Sequence, residues 1–112
     1  MSVLGNRPMW LFVFFDLPVT TKQEKKFAAN FRRELLKDGY LMIQFSVYAR
    51  PCGDWTRLEK HRKRLDFIIP PQGSIRTLPI TDRQFQKMEE MINITKFEKE
   101  KESKNCDDLL LF

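Results

Sequence analysis

The chain has 112 residues, 42% of them hydrophobic and 31% charged, with a net charge of +5 and a pI of about 9.4. That is one domain with enough apolar material for a core, and a basic balance that favours an anionic partner, nucleic acid first. Two cysteines without CxxC spacing (Cys52 and Cys106) and one histidine (His61) exclude a disulfide scaffold and a zinc set, and point to a cytoplasmic protein with reduced thiols.

A short polar lead with Gly5 and Pro8 precedes the run Trp10-Leu-Phe-Val-Phe-Phe15. Six consecutive apolar residues of strand length read as a strand buried on both faces, over about residues 9–16. The run is too short to span a bilayer and has neither a basic leader nor a small-residue cleavage site. Pro18 ends the strand, because it cannot donate to a ladder and pushes Leu17 away from helical geometry. Asp16 is thereby held at the carboxyl end of a central strand, where ligands of open α/β sheets gather. On position alone, a turn or helix cap is an equally good reading of that carboxylate.

Thr21-Lys-Gln-Glu24 fits a capping box. Behind it, over residues 22–38, Phe27, Ala28, Phe31 and Leu35 recur at helical spacing, with Lys22, Lys25, Lys26, Arg33 and Lys37 largely opposite. Gly39 suits the helix end. Residues 40–48 alternate with period two and predict a strand. Leu41, Ile43, Phe45 and Val47 are expected to meet the helices. Tyr40, Met42, Gln44, Ser46 and Tyr48 form a mixed face suited to a second protein surface. A short strand at 49–52 and a turn at Pro51, Gly53 and Asp54 follow.

Asp54 can cap a helix over residues 55–69, with Trp55, Leu58, Leu65 and Ile69 inside and Arg57, Lys60, Lys63 and Arg64 outside. His61 falls on its flank, suited to solvent or nucleic-acid proximity rather than catalysis. Pro70-Pro71 ends this helix and Gly73 turns the chain. Residues 74–80 read as a strand that Pro79 confines to an edge or strand end. Thr81-Asp82 opens a short helix with Phe85, Met88 and Ile92 on one side. Residues 96–108 read as a charged linker, and 109–112, Leu-Leu-Leu-Phe, as a final strand or docking segment. The order predicts an α+β, ferredoxin-like domain over residues 1–95: an antiparallel sheet with two helices on one face.

Several blocks resemble a known family. They are Phe14-Phe15-Asp16-Leu17-Pro18, Thr20-Thr21-Lys22 opening a helix that holds Phe31-Arg32-Arg33-Glu34-Leu35, Gly39-Tyr40-Leu41-Met42-Ile43-Gln44-Phe45-Ser46-Val47-Tyr48, and Gly73-Ser74-Ile75-Arg76. Over about residues 9–92 the chain resembles the small CRISPR-associated Cas-two family, in the version that accompanies Cas-nine systems. The resemblance implies a ferredoxin-like homodimer joined through its sheet face. It would act in spacer acquisition, sitting between dimers of the Cas-one integrase and holding the duplex DNA prespacer. It also implies metal-dependent cleavage of RNA or DNA in some members, with Asp16 as the catalytic magnesium ligand. Ser46 and Tyr48 match the positions that line the dimer cleft. Lys22, Lys25, Lys26, Arg32, Arg33 and Arg50 are the candidate nucleic-acid contacts.

Taken alone, one carboxylate is a poor Mg2+ site, since such ions are held by several oxygens. A two-fold dimer could bring two copies of Asp16 together, and the pair would then need a cation or a shared proton. The aromatics mostly belong to core stripes. Only Tyr40 and Tyr48 are candidates for base stacking, and the dimer interface has the stronger claim on their face.

Overall fold

The computed structural model describes residues 7–93, so the expected linker 96–108 and apolar end 109–112 lie outside the described residues. The elements are β1 (Met9–Asp16), α1 (Lys22–Lys37), β2 (Leu41–Gln44), β3 (Val47–Cys52), α2 (Trp55–Leu65), β4 (Ser74–Thr81) and α3 (Asp82–Gln86). The strands form one antiparallel sheet in the order β2-β3-β1-β4, the ferredoxin-like arrangement. Pro79 lies in β4, an edge strand, where a missing donor is tolerated.

Met9, Leu11, Val13 and Phe15 of β1 face the helices and join Phe31 and Leu35 of α1 and Leu58 and Leu65 of α2 in one buried cluster. The helix starts are the ones the sequence announces. Thr21 and Glu24 close a reciprocal capping box on α1, Asp54 accepts from the Arg57 amide at 2.8 Å on α2, and Thr81 with Gln84 caps α3. The small α3 adds a partial layer on the other side of the sheet: Phe85 stacks on Trp10 at 3.9 Å between ring centroids, and Trp10 Nε1 donates to Asp82 at 2.8 Å.

The expected strand over residues 40–48 is two strands. The chain turns at Phe45–Ser46 and returns as β3, with a register shift between Met42 and Gln44. The face assignment is reversed. Tyr40 and Tyr48 are each only 2% exposed and sit in the core, where Tyr48 packs on Phe15 at 5.6 Å. Leu41 and Val47, in register with Ala49 and with Phe14, fall on the side of the sheet away from α1 and α2. Both faces of this segment are apolar enough to be buried, so alternation alone could not choose between them. The second helix is also shorter than its pattern: it stops at Leu65, which leaves Ile69 exposed and puts Ile68 against the core instead, and Trp55, expected inside at the helix start, is exposed as well.

A polar knot ties the end of α1 to α2 and β3. The Asp38 carboxylate accepts from Arg64 at 2.6 Å and meets His61 Nδ1 at 3.2 Å, while Arg50 donates to the carbonyls of Asp38 and Pro51, both at 2.7 Å. His61 is therefore an inward-turned structural group and not a solvent-facing flank. Its burial outweighs the hydrogen bond to Asp38 and lowers its pKa below the usual 6.5, with Arg50 and Arg64 adding to the depression. A carboxylate can only accept, so the neutral ring carries its proton on Nδ1. As pH falls below about 6.5 the unfolded chain takes the proton before the folded one does. Stability should therefore be full above that pH and decline as pH falls through the window below it. Urea midpoints at pH 7.5 and 5.5 measure this, and His61→Gln should flatten the difference.

Candidate nucleic-acid interface

The carboxyl end of β1 carries the expected acid. Asp16 is the last residue of the strand, lies opposite Ser74 of β4 and is exposed. The neighbouring Phe15 amide donates to the Ser46 carbonyl at 3.0 Å, which fixes the β2–β3 turn beside it. Asp16, Ser46, Ser74 and Arg76 rim one shallow depression floored by Phe14 and Val47. Ser46 lines this depression, whereas Tyr48, expected beside it at a dimer cleft, is sealed in the core of the chain.

The geometry of this rim depends on a glycine. Gly73 has φ +99°, and a Cβ there would lie 2.7 Å from the Asp16 carbonyl oxygen and 2.7 Å from Leu17 Cδ2. Left-handed backbone costs about 1–2 kcal/mol in any other residue, and here backbone must also move. Gly73→Ala should lower the thermal midpoint and displace the end of β1. Circular dichroism melting and the amide shift of Asp16 check both effects.

A divalent metal does not fit one chain. Among the described residues no three acids, histidines or cysteines converge, and the depression offers a single carboxylate with two hydroxyls. The charged neighbour on the rim is a cation, Arg76, a better match for a phosphate than for Mg2+.

The clearest electrostatic feature is α1. Lys22, Lys25, Lys26 and Arg33 are exposed, and among the described residues none of them pairs with an acid. The acid among the three lysines is already engaged: Glu24 accepts from the Thr20 and Thr21 amides at 3.1 and 2.9 Å as part of the helix cap. On the outer face of α2, Arg64 is opposed by Asp38, while Arg57, Lys60 and Lys63 are exposed and, among the described residues, pair with no acid. Two expected contacts are otherwise occupied. Arg50 spends its guanidinium on the backbone carbonyls of Asp38, at the end of α1, and Pro51, in β3, and Arg32 is wedged between the rings of Phe15 and Phe45.

The family described as CRISPR associated protein Cas2 matches residues 9–88, from the start of β1 to just past α3. The chain belongs to the Cas2 family. A Flavobacterium psychrophilum protein named CRISPR-associated endoribonuclease Cas2 is 47% identical over 83 residues, 74% of this chain and 72% of that protein. A protein of the same name from Parvibaculum lavamentivorans is 47% identical over 77 residues, 69% of this chain and 76% of that protein. A third, from Acidovorax ebreus, is 43% identical over 93 residues, 83% of this chain and 91% of that protein.

The Cas2 match contains Asp16, Ser46, Arg76 and the whole of α1, so the rim and the basic helix both belong to the family's common domain. The sequence by itself assigns Arg76 and Ser74 no role at the site. Their signal was present, since Ser74 and Arg76 are two apart and so share a strand face, but only the pairing of β4 with β1 brings that face to Asp16. No helix among the described residues of this Cas2 chain is long and apolar enough to cross a membrane.

Proposed function

We propose that the chain is a dimeric, nucleic-acid-binding subunit of CRISPR spacer acquisition, which holds duplex DNA along α1 and bridges dimers of an integrase. The observation that carries the DNA contact is the set of five exposed cations on α1, Lys22, Lys25, Lys26, Arg33 and Lys37, which among the described residues have no acidic partner. Unpaired lysines of one sign are poised to displace counterions from a phosphate backbone, which positions a duplex without reading its sequence. The open sheet face supports self-association. Phe14, Ile43, Val47, Leu78 and Met88 line a depression there, and Leu78 is 48% exposed although it lies in the sheet. Light scattering tests the dimer, and a gel shift with integrase and a DNA duplex tests the assembly. A monomer, or an assembly that forms equally well without this chain, rejects the proposal.

A second reading is favoured by Asp16 and by the name the relatives share. An exposed acid at a strand end beside Arg76 and two serine hydroxyls suits a phosphodiester, with Arg76 and the hydroxyls orienting the phosphate. Two copies of Asp16 meeting in a dimer would supply the second carboxylate that a magnesium ion needs and one chain lacks. In this reading the chain is an endonuclease acting on RNA or DNA only when paired.

A further inference from the structure

One margin of the sheet is left open. β2 is hydrogen-bonded to β3 on one side, and among the described residues nothing pairs with its outer side. The opposite edge, β4, is blunted by Pro79 and Arg76, whereas the four residues of β2 include neither a proline nor a charge. Such an edge is a template for another extended chain. Its shortness and its register shift limit the pairing to one short strand.

Apolar side chains gather at the same place. Met42 lies opposite the core residue Tyr48, so it is on the helix side of the sheet. Phe45 is on that side too, with its ring centroid 3.9 Å from the Arg32 guanidinium carbon. Leu36 follows Arg32 by one turn of α1. Leu36, Met42 and Phe45 are each more than half exposed. The patch is on the opposite side of the sheet from the depression lined by Phe14, Ile43 and Val47 that supports self-association.

Arg32 supplies the charge. It is half-buried, donates from Nε to the Phe45 carbonyl at 3.4 Å and lies 5.4 Å from the ring of Phe15. No described acid pairs with it. Between Gly39 and Gly53 the sequence holds no acidic residue. A second copy paired edge to edge would bring no carboxylate from its own hairpin and would set the two Arg32 side chains on the same flank, a like-charge contact that costs. Nucleic acid would satisfy Arg32, but it would leave the apolar patch bare and meet the strand's outward carbonyls, which accept and cannot donate to phosphate.

We propose that the β2 edge receives an extended peptide segment of another protein, which adds a strand to the sheet, lays apolar side chains on Leu36, Met42 and Phe45 and offers a carboxylate to Arg32. Backbone bonds give such a contact its affinity, and the apolar and charged positions give it selectivity. The surface uses none of Lys22, Lys25, Lys26, Arg33 or Asp16, so it goes beyond both functional readings.

The test screens the full-length protein against a phage-displayed library of short random peptides, and measures a synthetic copy of the strongest binder by fluorescence anisotropy. That peptide should alternate apolar residues and carry an acid. On binding, the amide signals of Leu41–Gln44 should shift and gain protection from exchange. Met42→Ser and Phe45→Ser should each weaken binding on the order of 10-fold, with duplex DNA binding and the melting midpoint unchanged, since both side chains are exposed. Arg32→Gln should cost a similar factor, and nothing further once the peptide's acid is replaced by its amide, because the two charges pair. Shifts that map elsewhere, a binder without an acid, or affinity that survives Met42→Ser overturn the proposal. So does self-association abolished by Met42→Ser, read by light scattering, which gives the edge to a second copy. An oligonucleotide that displaces the peptide and is itself lost with the same variants gives it to nucleic acid, and overturns the proposal equally. A peptide of this chain's own residues 107–112 that binds with the same losses makes the chain its own occupant and also overturns it.

Discussion

Replacing Lys22, Lys25, Lys26 and Arg33 together with glutamine should weaken duplex DNA binding by about 10³-fold at 0.1 M salt. Every phosphate left without its cation takes roughly 0.9 off the slope of log K against log salt, and at this salt concentration that is nearly one decade of affinity. Four such phosphates per chain should flatten the slope by about 3.6, and more where both subunits touch one duplex. The stability cost should be small, because these side chains are exposed and make no ion pair with a described acid. A filter-binding titration from 50 to 300 mM salt, with a random-sequence duplex, measures the slope directly. The matched control is Arg62→Gln with Arg64→Gln on α2. Those charges are already opposed by Glu59 and Asp38, so the slope should hardly change. If the control flattens the slope as much as the α1 variant, the duplex does not lie along α1.

The second large effect concerns Asp16. Asp16→Asn keeps the size and polarity of the side chain and removes only its charge. If paired aspartates organise phosphodiester cleavage, the loss should reach on the order of 100-fold or more in rate, several kcal/mol of transition-state stabilisation. Melting should be unaffected, since the side chain is exposed and sits at the strand's last position. Cleavage of labelled RNA and DNA by wild type and variant, both purified in parallel, measures the difference. Spacer acquisition measured with the same pair separates the two readings of function. A variant that no longer cuts yet still supports acquisition makes the scaffold the physiological role. A variant that cuts normally removes Asp16 from the chemistry.

Local chemistry made most of the fold legible. The three helix starts rest on side chains within a few residues of the amides they satisfy, so Thr21, Asp54 and Thr81 could be read from spacing alone. Pro79 carried its edge assignment in its own ring. What was not legible depended on partners far along the chain. The turn at Phe45–Ser46 holds no glycine, proline or asparagine and only the weaker turn former Ser46, too faint a signal to break the segment 40–48. Because the mixed face also carries large side chains that can be buried, choosing the inner face required knowing that Phe15 offers Tyr48 a packing partner. The site divided along the same line. Asp16 was placed by the end of its own strand, Ser46 entered only through the family resemblance, and Arg76 reached the rim only through the register of β4. Arg50 and His61 looked available from composition, and tertiary contacts with Asp38 and Pro51 claimed them.

The sheet's ladders differ greatly in how much chain they enclose. Leu41 and Ala49 meet across a tight hairpin, while Met9 must find Thr81 after α1, the hairpin and α2 have all intervened. Closing the longer span surrenders more chain freedom, so in folding the hairpin and its helices have a head start and β4 zips on last. The final seam to close is then the one that brings Ser74 and Arg76 to Asp16. Hydrogen exchange in the native state should show the amides of β4 opening ahead of those in β3, and the acid's surroundings would dissolve while the rest of the sheet still stands.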